Sequence, residues 1–126
     1  MKNVVQKMVD YKVGGTIVNI SSITAKMGNM GQSNYAPSKA AVETLTRVAA
    51  KEFAKHGIRV NTVIPGFIKT PMTDSVPDKV KEMILKQIAL KRFGDPEEVS
   101  DTIAFLASDK SSFVTGASIE VSGGQS

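Results

Sequence analysis

The chain has 126 residues, 41% of them hydrophobic and 22% charged, which is typical of one soluble globular domain. It contains no cysteine, so disulfides and cysteine zinc sites are excluded, and its single histidine, His56, argues against a His-based metal site or a Ser-His-Asp triad. The net charge of +4 is dispersed and tryptophan is absent, which argues against nucleic-acid binding. With neither a membrane-spanning apolar run nor a secretory leader, we expect no membrane partner and an intracellular protein, in the cytoplasm or the mitochondrial matrix.

The first third of the chain predicts a helix, a strand and a loop. Apolar residues at helical spacing in "MKNVVQKMVDYKVGG" predict a helix that stops at Gly14 and Gly15. The β-branched, uncharged run at residues 16–21 predicts a strand buried on both faces, as in a parallel sheet. The turn-rich segment "SITAKMGNMGQSN" predicts a loop.

The middle of the chain predicts a long helix followed by a second strand. From residue 33 onward, Val42, Leu45 and Phe53 recur at helical spacing, and Gly57 closes the helix. Residues 58–64, "IRVNTVI", predict a strand that Pro65 and Gly66 terminate.

The last third predicts two helices and a third strand. Residues 78–88 have helical spacing, and Asp95 followed by Pro96 and acidic residues predicts the start of another helix. The segment "SIEVSGG" predicts the third strand. Alternating strands and helices indicate an α/β fold with a parallel sheet. Three strands make half of a Rossmann-type doubly wound sheet.

Three polar residues are predicted to meet at one edge of this sheet. Ser22 follows the first strand, and ligands of parallel sheets bind beyond the carboxyl ends of the strands. Tyr35 and Lys39 are four residues apart, which places them on one face of the long helix. An ammonium group within about 4–6 Å of a phenol favours the phenolate, so the phenol becomes a better proton donor. A serine hydroxyl can hold a carbonyl oxygen beside it, and reduction would need a hydride-carrying cofactor.

The same residues belong to segments that resemble the short-chain dehydrogenase/reductase family over essentially the whole chain. These segments are "NISS", with 12 residues between Ser22 and Tyr35, then "YAPSK", "IRVNTVIPGFIKTPM" and "FLASDKSSFVTGASIEVSGG". Within the family, the chain is most similar to the 3-oxoacyl-acyl-carrier-protein reductases and to 17β-hydroxysteroid dehydrogenase type 8. The resemblance implies an NAD- or NADP-dependent carbonyl reductase or alcohol dehydrogenase for 3-oxoacyl thioesters. A hydroxysteroid dehydrogenase and a non-catalytic assembly module remain alternatives.

The resemblance also implies a role for each site residue. Tyr35 is expected to be the general acid, assisted by Lys39, which also holds the nicotinamide ribose, while Ser22 orients the substrate carbonyl. The expected cofactor contacts are Tyr35, Lys39, Pro65, Gly66, Ile68 and Thr70. The expected substrate contacts are Ser22, Gln32, Phe67 and Met72, with residues 72–88 as a mobile flap.

One family feature is missing from the sequence. No T-G-x-x-x-G-x-G turn, which would hold the cofactor phosphates, occurs in the chain. We therefore expect residues 1–126 to form one partial domain, the carboxyl-terminal half of a reductase, inactive alone and derived from a homo- or heterotetramer. At the positions where bacterial relatives dock their carrier through arginines, this chain has Val13 and His56, which leaves room for acyl-CoA or steroid substrates.

Overall fold

Three parallel strands form a single sheet in the order β1-β2-β3. The structure is a computed structural model that describes residues 1–28 and 30–125. The strands are β1 (Gly15–Ile20), β2 (Ile58–Pro65) and β3 (Ser118–Val121). Ile17 lies opposite Val60, and Val63 lies opposite Ile119. The strands are parallel, so all three carboxyl ends lie at the same end of the sheet.

Helices cover both faces of the sheet. They are α1 (Lys2–Asp10), α2 (Thr24–Met27), α3 (Tyr35–Phe53), α4 (Pro71–Asp74), α5 (Asp78–Gln87) and α6 (Pro96–Ala107), with short 3-10 turns at Ala54–His56 and Asp109–Ser111. No helix in the described ranges is both long and apolar enough to cross a membrane.

The alternation of side chains along the strands decides which helix covers which face. Ile17 and Val60 pack in a core with residues of α1 and α3. The neighbouring residues point the other way: Thr16 donates to the carbonyl of Leu106, and Arg59 donates to the carbonyls of Leu106 and Ser108, at the end of α6. Because successive strand residues face opposite sides, α3 and α6 lie on opposite faces. The predicted doubly wound α/β arrangement is confirmed.

The strand buried along its length is β2, rather than β1 as the sequence predicted. Residues 58–64 of β2 are buried apart from Arg59, whereas β1 is half-buried or exposed. Within the described residues β1 pairs only with β2, so its position at the edge explains the difference.

The core between α1 and α3 is built from smaller residues than the apolar pattern suggested. Val5, Ala49 and Ala50 are buried there, whereas Leu45 and Val48 are about half exposed. Small residues allow α3 to approach the sheet closely.

Element boundaries differ from the sequence prediction in three places. The first helix ends at Asp10 rather than at Gly14, because Lys12 adopts a left-handed conformation (φ 52°) and Val13 N donates to Met8 O. The loop after β1 contains α2, and the loop after β2 contains α4. Each of these helices has four residues, too few to give a periodic pattern.

Candidate active site

Ser22 lies where β1 gives way to α2, beside the end of β2. Ser21 N donates to Val63 O (2.9 Å) and Ile23 N donates to Pro65 O (3.0 Å), so the backbone on both sides of Ser22 is held against β2. The Ser22 hydroxyl shares a hydrogen bond with that of Thr24 (2.9 Å) and accepts a longer one from Thr24 N (3.4 Å). Ser22 therefore stabilises the start of α2.

Tyr35 is the first residue of α3, and its side chain is 46% exposed. The buried Ser21 side chain fixes this helix over the end of β1 by donating to Lys39 O (2.9 Å). Tyr35 O in turn accepts the hydroxyl of Ser38 (2.7 Å). The first turns of α3 thus lie beside the end of β1 that leads into Ser22.

Lys39 contacts both the tyrosine and the strand. Its Nζ lies 5.7 Å from the centroid of the Tyr35 ring and donates to Ile20 O at 3.1 Å. A cation at this distance from an aromatic face is attracted to it. Because an ammonium group has three donors, the contact to Ile20 leaves further N–H groups to bind a ligand hydroxyl.

Lys39 contacts Tyr35 and the carbonyl of Ile20, in the strand that leads into Ser22. Tyr35 is about half exposed beside the Lys39 ammonium, and the Ser22 hydroxyl lies just beyond the same strand, β1. Within the described part of the chain, no direct hydrogen bond joins Ser22 to Tyr35.

The turn after β2 approaches the end of β3 closely. A Cβ on Gly66 would lie 2.7 Å from Ser122 Cα, so only glycine fits there without displacing backbone. Phe67 packs its ring 4.8 Å from that of Phe93. Lys69 N donates to Gly94 O and Gly94 N donates to Phe67 O, so the Ile68 N–H between them faces away from Gly94.

Thr70 and Met72, two predicted contacts, lie further along this loop. Thr70 caps α4, since its hydroxyl accepts from Thr73 N (3.3 Å) while its own N donates to Thr73 Oγ1 (2.8 Å). Met72 is 82% exposed and lies outside the cleft described next. Both contacts stay predictions.

A cleft of about 440 Å³, called here the α2–α5 cleft, opens beside Ser22. Its apolar lining is Ile23, Met27, Phe67, Val80, Met83 and Ile84, and its other lining residues are Ser22, Thr24, Gln32, Gly66, Gln87 and Gln125. Of the predicted substrate contacts, the structure brings Ser22, Gln32 and Phe67 together in this cleft. An apolar chain with a polar head group matches such a lining.

Two contacts near the site could not be predicted from the sequence. Lys26 on α2 forms an ion pair with Glu120 on β3, and this hydrogen bond raises the pKa of Lys26. Gln125, close to the end of the chain, folds back so that its Oε1 accepts from Phe67 N (3.2 Å). Both contacts join segments that are distant in sequence, so only the tertiary fold reveals them.

Comparison with known proteins identifies the family. All 126 residues match the sequence model of the family described as "Enoyl-(Acyl carrier protein) reductase". The (3R)-3-hydroxyacyl-CoA dehydrogenase of Rattus norvegicus is 56% identical over 94% of the chain, which corresponds to 46% of that protein. The chain belongs to the short-chain dehydrogenase/reductase family.

Other relatives of this family agree. The 3-oxoacyl-[acyl-carrier-protein] reductase of Thermotoga maritima is 54% identical over 97% of the chain and 51% of its own length. The estradiol 17-beta-dehydrogenase 8 of Callithrix jacchus is 56% identical over 90% of the chain and 84% of its own length. A solved structure of a putative 2-deoxy-d-gluconate 3-dehydrogenase from Agrobacterium tumefaciens, with bound NADP, superposes with a TM-score of 0.94 at 30% identity, covering 98% of this chain and 51% of that one. The chain spans about half the length of the rat and Thermotoga relatives.

Proposed function

We propose that the chain supplies the catalytic group and substrate cleft of an NAD- or NADP-dependent reductase of 3-oxoacyl thioesters. The observation that carries this proposal is the Lys39 ammonium held 5.7 Å from the Tyr35 ring and anchored on Ile20 O at the carboxyl edge of the sheet. Family membership supports it, as do the activities for which the rat and Thermotoga relatives are named.

The proposed chemistry assigns one task to each side chain. The Tyr35 hydroxyl gives its proton to the substrate oxygen as negative charge develops there, and the Lys39 ammonium stabilises the phenolate left behind. Ser22 donates to the same oxygen and so fixes the carbonyl beside the phenol. The nicotinamide, when bound, supplies a hydride to the carbonyl carbon.

The residues present fit one end of such a cofactor. The remaining Lys39 N–H groups suit ribose hydroxyls, and the Ile68 N–H, which faces away from Gly94, suits a carboxamide oxygen. Pro65 and Gly66 shape the turn that carries Ile68, and Thr70 follows it. The sequence has no T-G-x-x-x-G-x-G turn for the pyrophosphate. We therefore propose that the chain corresponds to the carboxyl-terminal half of the family fold.

The same proposal includes a tetramer, with identical or different subunits. A groove of about 440 Å³ between α1 and α3 is lined by Val5, Leu45 and Val48, among others. Leu45 and Val48 are each about half exposed, and apolar residues clustered in this way favour a protein–protein contact.

The test joins residues 1–126 to the amino-terminal half of the Thermotoga maritima reductase, at the point where the alignment begins. We expect this hybrid to oxidise NADPH or NADH with a 3-oxoacyl thioester. Tyr35→Phe removes the transferable proton and should lower kcat/KM about 10²–10⁴-fold. Tyr11→Phe, which changes the other tyrosine, exposed at the end of α1, is the matched control and should keep full activity.

Two outcomes contradict the proposal. Full activity in the Tyr35→Phe hybrid would remove the phenol from the mechanism. A hybrid that folds and binds NADPH, seen by cofactor fluorescence, but turns nothing over would favour a non-catalytic module. The Callithrix jacchus relative favours a second candidate, the interconversion of a hydroxysteroid and a ketosteroid, so the same hybrid is assayed with estradiol.

A further inference from the structure

Gln125 brings a carboxamide into the α2–α5 cleft from the end of the chain. It is 8% exposed, and its Oε1 accepts from Phe67 N at 3.2 Å. The same oxygen lies 3.0 Å from the place where a Cβ on Gly66 would be. Because a backbone N–H can only donate, the oxygen is the atom that faces Phe67, and the NH2 group is on the opposite side of the carboxamide. That NH2 group makes no hydrogen bond within the described residues.

Gln32, which is distant from Gln125 in sequence, offers the complementary group, a hydrogen-bond acceptor. Its Oε1 is buried and has no hydrogen-bond partner among the described residues, and Gln32 lines the same cleft as Gln125. A buried acceptor without a partner costs about 1–3 kcal/mol, so such a group in a cleft is expected to meet a donor on a ligand.

We propose that Gln32 and Gln125 form a subsite for a secondary amide of the substrate, in which Gln32 Oε1 accepts the amide N–H and Gln125 Nε2 donates to the amide carbonyl. This inference rests on the proposed reductase function and deepens it. An acyl group carried on a pantetheine-type arm has a secondary amide two carbons beyond its thioester sulfur, whereas a ketosteroid has none. The pair therefore selects thioesters of an amide-bearing thiol.

The test compares two thioesters that differ only in the amide. One is the acetoacetyl thioester of N-acetylcysteamine, and the other is the acetoacetyl thioester of pentanethiol, in which methylene groups replace the amide. We expect the hybrid with the Thermotoga half to prefer the amide substrate in kcat/KM. Gln125→Leu and Gln32→Leu should each reduce this preference about 3–10-fold, the effect of one lost hydrogen bond.

A second substitution separates binding from support of the turn. Gln125→Glu keeps an oxygen that accepts from Phe67 N but loses the NH2 donor, so it should reduce the preference at least as far as Gln125→Leu. A merely structural Gln125 would instead lower kcat/KM for both thioesters equally, leaving their ratio unchanged. Gln6→Leu, on the exposed face of α1, is the control and should keep the ratio of the unsubstituted hybrid.

The outcomes distinguish the subsite from the function. Reduction of both thioesters with equal kcat/KM, or a preference that survives Gln125→Glu and Gln32→Leu, overturns the amide subsite while the reductase function stands. Failure of the folded hybrid to reduce either thioester overturns both.

Discussion

Arg92 and Glu98 form an ion pair with two hydrogen bonds. The guanidinium of Arg92 donates to both carboxylate oxygens of Glu98, at 2.8 and 2.6 Å. Asp95 N donates to Glu98 Oε2 at 2.8 Å, so the same carboxylate caps the start of α6. The hydrogen bonds from Arg92, followed by that from Asp95, lower the pKa of Glu98 to about 2. The pair joins the loop beyond α5 to the helix that covers one sheet face.

This contact predicts a pH-dependent stability. Because the folded-state pKa of Glu98 lies below the usual value of about 4.3, its contribution is complete above that value and is lost as the pH falls toward 2. Glu98→Gln should therefore lower the Tm of the hybrid at pH 7, with a difference that shrinks between about pH 4.5 and pH 2. Since the pair is exposed, added salt should reduce the difference as well.

Glu97 provides the control for this measurement. It lies in the same first turn of α6 and experiences the same helix dipole, but Arg92 does not contact it. Glu97→Gln loses only the interaction with the helix dipole, so it should lower the Tm less than Glu98→Gln does. A Tm difference for Glu98→Gln that stays constant from pH 7 to pH 2 would contradict the assigned pKa.

At the scale of elements, the turn after β2 determines the geometry of the candidate site. Gly66 N donates to Val121 O, and Phe67 N donates to Gln125 Oε1, so the ends of β2 and β3 and the side chain of Gln125 meet there. Predicting Pro65 and Gly66 as a turn required only the sequence. The close approach of Gly66 to Ser122 depends on two strands that are distant along the chain. The spacing of apolar residues in the sequence does not predict such a contact.

Gly66→Ala tests this close approach. The new Cβ would lie 2.7 Å from Ser122 Cα and 2.8 Å from Ser122 Cβ, so the backbone must move, and overpacking of this kind costs about 1–3 kcal/mol. Denaturant unfolding measures the loss. Gly15→Ala is the matched control, because its Cβ would meet only the flexible end of the Met8 side chain. Equal stability of the two variants would show that the β2–β3 contact is loose.

For the whole molecule, the side of β1 that faces away from β2 is the feature that we expect to control association between chains. Gly15 N and Ser21 N donate to β2, so by alternation the N–H groups of Thr16, Val18 and Ile20 point away from the sheet. Lys39 donates to Ile20 O on that side, at the carboxyl end. Within the described residues, the rest of this edge is open to a further strand, and open edges promote association.

We therefore expect the 126-residue chain to associate in a concentration-dependent way through β1. Val18→Pro removes an N–H that makes no bond to β2 and should shift sedimentation toward the monomer. Val4→Ser removes an exposed apolar side chain from α1 instead and serves as the control. If Val4→Ser disperses the protein and Val18→Pro does not, association occurs through the helices rather than the strand edge.

The sequence by itself determined the α/β class, the three strands, the long helix and the family, because these depend on residue type and local spacing. It also predicted that Ser22, Tyr35 and Lys39 meet at the carboxyl end of the sheet, since strand ends and helical turns follow from local rules. The tertiary structure alone decided that β2 is the buried strand, that Gln32 and Gln125 share one cleft with Ser22, and that Met72 lies outside it. These outcomes depend on contacts between segments far apart in the chain, whose geometry no local pattern encodes.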